Sequence, residues 1–233
     1  MLKQREAALA KLREFFPNGA TRLADDLVNL NAKYKCFEGW REQQLLKFIE
    51  ALKLNAEELE RAYGAKKAPT VAWVTRNLLE LDIWIDYCNL SDTHAKRFKE
   101  DSMRDVLGFF DALHALAVDQ NGRGVPEIAR AQELVQDAIQ KVFGVTDANY
   151  LRTDQAAEEV GRKKQFACLN RMFSKFAHPT AWLVDTGDWL LNSEEGCDGF
   201  LTSAVMIGCG GIIKIHSHVS QRFSSAEEQA ANA

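Results

Sequence analysis

Residues 70–90, TVAWVTRNLLELDIWIDYCNL, constrain the fold more than any other stretch, because a helix over this span is apolar around most of its circumference. At about 100° of rotation per residue no broad polar face emerges, and such a helix has to be enclosed by neighbours on most sides. Trp73, Trp84 and Tyr87 add large apolar area that the enclosure is expected to bury. Its polar residues, Arg76, Asn77, Glu80, Asp82 and Asp86, then need partners or a wet cleft, since a buried polar group without a hydrogen bond is costly. Arg76 and Glu80 stand at i,i+4 and are predicted to pair with each other.

The rest of the chain can supply that shell from helices. Only four prolines occur in 233 residues, and long stretches lack both Gly and Pro, which favours helices over a β-sandwich. The reading is all-α: a bundle of about eight helices (68–223) with a helical N-terminal extension (1–67) and a polar tail (224–233) expected to fray. Helices are expected at 2–16, stopped by Pro17-Asn18-Gly19, at 20–34 and at 38–53. Asn55, with Glu58 three residues on, is expected to cap a separate short helix closed by Tyr63-Gly64, and 65–69 reads as a connector. A helix over 92–120 should turn Phe98, Val106, Phe109, Phe110 and Leu113 inward, and Pro126 should open the next, which Phe143-Gly144 closes. Short helices are expected from Thr153 or Asp154 towards Gly161 and at 179–185, with a last one at about 198–220. In that last helix Gly208, Gly210 and Gly211 should permit close packing.

A formal net charge of -4 and a pI near 5.8 leave no global basic field, so any contact with phosphate has to be local. The five cysteines, Cys36, Cys88, Cys168, Cys197 and Cys209, are scattered in apolar surroundings without a Cys-x-x-Cys pair, which points to free buried thiols. The amphipathic N-terminus is no signal peptide, and the apolar run Ala204–Ile213 is too short to span a bilayer. A cytoplasmic protein without membrane contact is expected.

The stretch Phe166–Trp182, FACLNRMFSKFAHPTAW, carries the one compact polar constellation. On a helix, Phe166, Leu169, Phe173, Phe176 and Ala177 form a buried stripe. Lys164, Arg171, Lys175 and His178 fall opposite, with Ser174 at the margin. No Asp or Glu occurs from Val160 to Val184, whereas a merely solvated face mixes charge signs. Arg171 and His178 are nearly eclipsed and roughly 10 Å apart along the axis, so both can converge on one anion. A neutral imidazole can take a proton from a ribose 2'-hydroxyl while a guanidinium holds the phosphate whose charge grows in the transition state. The same residues admit a plainer reading, with the cations solvated and His178 placed at the negative helix end ahead of Pro179.

Arg171-Met-Phe-Ser-Lys-Phe-Ala-His178 resembles the Arg-(four to six residues)-His motif of the HEPN superfamily. The wider pattern, RNLLELDIWIDYC at 76–88 and SKFAHPTAW at 174–182, is similar to a bacterial helical family with a Ser-Lys/Tyr-x-His-Pro element, the DUF5677-like group. The resemblance covers roughly residues 70–220; Met172 follows the arginine where the superfamily often has a polar residue, and Asn170 precedes it. It implies a helical, dimeric, metal-independent ribonuclease or RNA-binding protein of a toxin–antitoxin or defence system, needing no cofactor. Arg171 and His178 would be catalytic, with Glu80, Arg76 and Ser174 supporting and Lys164 and Lys175 binding phosphate. A homodimer is expected, its seam against the basic face.

Other chemistry is less well supplied. Asp111/His114 and Asp82/Asp86 loosely resemble helical metal ligands, but no Glu-x-x-His pair exists and His216 and His218 point to different faces, so no metal is expected. Ser174 lacks a glycine elbow, and Gly208-Cys-Gly-Gly lacks the strand and lysine of a phosphate loop. The alternative of another class is a non-catalytic helical interaction module with a protein partner.

Overall fold

The computed structural model describes residues 39–119, 124–144, 150–177 and 194–231, with Lys3, Glu6, Ala7, Ala10 and Asn29. Among the described residues there are seven α-helices and no strand. Apart from those five single residues, the helices expected at 2–16 and 20–34 lie outside them, as do the one expected at 179–185, Cys36 and His178.

Helix α1 (Trp40–Gly64) starts behind Gly39 and ends in a turn where Lys66 takes a left-handed φ of 55°. It is one helix, not two. Asn55 caps nothing; its Nδ2 donates to the Ala51 carbonyl at 2.8 Å. With no Gly or Pro between 40 and 63 to end the helix, the side chain bonds back into it instead. Helix α2 (Ala68–Leu90) opens with Pro69 in its first turn, where a missing amide hydrogen costs nothing. At its end Ser91 is extended and accepts from the His94 amide, capping helix α3 (Asp92–Asp119). Helix α4 (Val125–Phe143) returns antiparallel after Gly124, whose φ is 82°. The short α5 (Thr153–Glu159), α6 (Lys163–Ala177) and the long α7 (Glu194–Ala231) complete the set, α7 running on through the stretch expected as a tail.

Helix α2 is central, as its composition demanded: it packs against α1, α3, α5, α6 and α7. Val71, Ala72, Val74, Leu78, Leu79, Ile83, Ile85 and Tyr87 are all fully buried. They join one cluster with Leu45, Leu52 and Leu59 of α1, Phe166 and Phe173 of α6, and Leu201, Ala204 and Ile215 of α7. Each Val, Leu, Ile or Phe side chain among them contributes about 1.5–3 kcal/mol. Residues 40–64 thus belong to the same core as α2. Trp73 departs from expectation and is 44% exposed. Gly211 bears out the close-packing expectation, since a Cβ there would meet Ile85 Cδ1 at 3.2 Å and Leu52 Cδ1 at 3.8 Å.

Helices α3 and α4 form a hairpin that leaves the core beyond about Asp101. Val106 and Phe109, expected inward, are exposed, and so are Leu116 of α3 and Leu134 and Val142 of α4. The apolar stripe exists, but much of it is turned neither to the core nor fully to α4. Cys88 and Cys197 are buried as expected, whereas Cys168 is exposed. Over Cys197–Ile215 α7 is apolar and long enough to cross a membrane by length and composition alone, yet Leu201, Ala204, Val205, Ile212 and Ile215 of that span are core residues.

Candidate functional site

Two groups of charge sit along α2, and the first fixes the position of the second. At the far end of α2, Asp82 and Asp86 face Arg162, in the turn before α6, and Lys214 of α7. Arg162 Nη1 lies 2.6 Å from a carboxylate oxygen of each aspartate, and Lys214 Nζ lies 2.8 Å from Asp82 and 2.7 Å from Asp86. Asp82 is almost wholly buried, and two cations against two carboxylates leave the square neutral. Burial acts to lower the Arg162 pKa, but Asp82 and Asp86 together outweigh it and the net shift is upward. The Asp82/Asp86 pair considered as metal ligands is therefore occupied by protein cations, and no group of metal-binding side chains occurs among the described residues.

The square clamps the α5–α6 turn onto α2. Gly161, with φ of 73°, lets the chain reverse there, and the Arg162 amide donates to the Ala157 carbonyl at 2.7 Å. With Arg162 held at Asp86 and Asn170 held at Arg76, α6 runs antiparallel to α2 and shows its polar side to Arg76 and Glu80.

There a cavity of about 540 Å³ opens between α2, α6 and the segment leading into α5. Phe166 and Ala167 contribute its apolar wall; Arg76, Glu80, Asn170 and Arg171 line it from the helices, and Tyr150, Arg152, Thr153, Asp154 and Lys163 from the remaining side. Four cations meet two carboxylates, a local positive excess in an acidic chain. The expected Arg76–Glu80 ion pair forms at 2.8 Å. Arg76 Nε also donates to Asn170 Oδ1 at 2.9 Å, so the guanidinium is fixed from two directions. Arg152 pairs with Asp154 and Lys163 with Glu158, both largely exposed and worth little. Arg171 alone of the four has no hydrogen-bond or ion-pair partner among the described residues. Tyr150 stands at the rim; Asp105, then burial, then Asp101 and Glu80 push its phenol pKa up, keeping it a neutral donor.

The sequence-predicted residues divide accordingly. Arg76, Glu80 and Arg171 come together in the cavity. Ser174 stands behind them, its hydroxyl 3.3 Å from Asn170 Oδ1. Lys164 is exposed and does not line the cavity, and Lys175 lines a separate apolar hollow of about 640 Å³ with Met172, Phe176 and Phe200. His178 lies outside the described residues. Tyr150, Arg152 and Lys163 were not foreseen. Lys163 was legible, because 163, 167, 170 and 171 form one helical stripe beside the chosen one; Tyr150 and Arg152 come from a different segment and left no local signal. Comparison with protein-family models, curated proteins and solved structures finds no match, so the chemistry rests on this geometry.

Proposed function

We propose that the cavity binds the phosphate backbone of RNA, in the HEPN-like manner that the Arg171–His178 motif suggests. The observation that supports it is Arg171: a guanidinium with no partner among the described residues, at an open cavity whose other arginine on a long helix, Arg76, is already held by Glu80 and Asn170. An exposed guanidinium binds a phosphate bidentately with little reorganisation. In the catalytic form of this reading His178 takes the 2'-hydroxyl proton, the 2'-oxygen attacks phosphorus to give a 2',3'-cyclic phosphate, and the 5'-oxygen leaves with a proton from solvent water as Arg171 stabilises the charge on the non-bridging oxygens. Lys164 and Lys175, away from the cavity, would meet flanking phosphates.

The test is RNA turnover by the purified protein in EDTA, with His178→Ala and Arg171→Ala alongside. Both variants are expected to lose cleavage while unfolding at the wild-type temperature; equal turnover by wild type and His178→Ala ends the assignment. A second reading, a non-catalytic helical interaction module, draws on the exposed Phe109, Leu116 and Leu134 of the hairpin. It expects a stable protein partner in a pull-down that His178→Ala leaves unchanged.

A further inference from the structure

Helix α4 packs chiefly against α3, and of its described residues Ile139 alone is buried. The hairpin has two unlike sides. Gln132 of α4 donates to Asp111 of α3 at 2.7 Å and marks the first, where Glu133, Gln136 and Gln140 are exposed and polar. In an antiparallel pair, residues turned away from Asp111 on α3 and from Gln132 on α4 share the second side. At about 100° per residue these are Val106, Phe109 and Leu116 on α3 and Leu134 on α4. Phe109 is 59% and Leu134 64% exposed, and Val106 and Leu116 are exposed with them. Phe109 and Leu134 stand at one level, each two residues from the Asp111–Gln132 bond. A merely solvated side is polar, as the first is; large apolar side chains gathered on one side mark a contact surface.

The charges of α4 say what fits there. Glu127 and Lys141 lie seven residues before and after Leu134, and Arg130 and Asp137 lie four before and three after it. All four are exposed and turned away from Gln132, and none has an ion-pair or hydrogen-bond partner among the described residues. Read from the opposite end, this order of signs is its own complement. Two copies of α4 laid antiparallel about Leu134 bring Glu127 opposite the partner's Lys141 and Arg130 opposite the partner's Asp137, each pair formed twice. Laid parallel, every charge meets its like. The size also suffices. Helix α4 has 19 residues, so it is about 28 Å long. A face two helices wide then offers about 500 Å² on each copy, about 1,000 Å² in all, where specific interfaces begin.

We propose that this side of the α3–α4 hairpin docks on the same side of a second copy, the two α4 helices antiparallel across a two-fold axis at Leu134 and Phe109 beside it in the apolar centre. The seam lies on the hairpin and not on the basic face of α6, and it does not depend on the phosphate-binding reading.

The experiment is sedimentation equilibrium of the full chain from about 1 to 100 μM, where an interface of this size is expected to give a reversible dimer. Leu134 is exposed, so Leu134→Arg is expected to leave the fold intact, checked by its melting temperature, and to make the chain monomeric throughout. Glu127→Lys and Lys141→Glu each set like charges opposite one another twice, and each should weaken the dimer about tenfold. Carried together in one chain they restore it. Mixed as two separate variants, they associate with each other more tightly than either does with itself. A wild type still monomeric at the top concentration overturns the proposal, and so does one whose exposed side binds only vesicles or another protein. A dimer that Leu134→Arg leaves intact overturns it as well, by placing the seam elsewhere. Charge variants that recover neither in the double form nor on mixing overturn the antiparallel arrangement.

Discussion

Along α2, Asp82 and Asp86 with Arg162 and Lys214 form one group of charges, and Arg76 and Glu80 with Asn170 and Arg171 form another. They use similar parts and end in opposite states. In the first every charge has a partner at 2.6–2.8 Å and Asp82 is nearly sealed. In the second the carboxylate and one arginine are matched, but Arg171 faces an open cavity. A compensated ion group holds elements in register; one with a cation left over at a cavity is arranged for something the chain itself does not provide. The closed group also serves the open one, because Arg162 sits at the start of the helix that carries Asn170 and Arg171.

Stability measurements separate the two groups. Asp82→Ala leaves Arg162 and Lys214 to share the one Asp86 carboxylate, with a positive charge uncompensated in a partly buried setting, and is expected to cost about 3 kcal/mol in urea unfolding. Glu80→Ala removes a pair whose members are each about a quarter exposed, and is expected to cost about 1 kcal/mol or less. Similar costs would show that the two groups do not differ in kind. A third carboxylate sharpens the contrast. Asp101 is buried with no hydrogen-bonded cation among the described residues, its Oδ1 accepting from the Leu151 amide at 2.8 Å behind the cavity rim. Burial raises its pKa above the ordinary 3.8, so the folded state binds the proton more tightly than the unfolded state. Its contribution is therefore fully favourable below the unfolded value and is lost as pH rises through the folded one. Asp101→Asn, which keeps the acceptor, is expected to exceed wild-type stability by up to about 1 kcal/mol at pH 7. That advantage should vanish below about pH 3.8 in a pH series of thermal melts. The smallest effect is expected at Ser174→Ala, which removes one long bond to Asn170: under about 1 kcal/mol in stability, with a modest weakening of RNA binding.

Much of this was legible before any coordinates. A helix apolar on nearly every side can only be central, and Arg76 and Glu80 at i,i+4 can hardly avoid each other, so α2 and half of the cavity followed from local rules. Asn55 misled because Asn followed by Glu three residues later is a capping signal, yet a cap also needs something to end the preceding helix, and nothing there does. Val106 and Phe109 misled differently: periodicity reports that a face is apolar and is silent on what covers it. Tyr150 and Arg152 reach the cavity only through tertiary placement, set by the Leu151 amide on Asp101 and the clamp at Arg162.

The central claim is that Arg171 is a phosphate ligand, and the salt dependence of its contribution tests it most directly. Binding of an oligouridine to wild type and Arg171→Ala, followed by fluorescence anisotropy over a range of salt, gives two slopes of log affinity against log salt. Weaker binding by the variant is expected, with a slope shallower by about 0.7, the release of one counterion from single-stranded nucleic acid. Coincident lines, with the variant folded and binding as tightly as wild type, would contradict it.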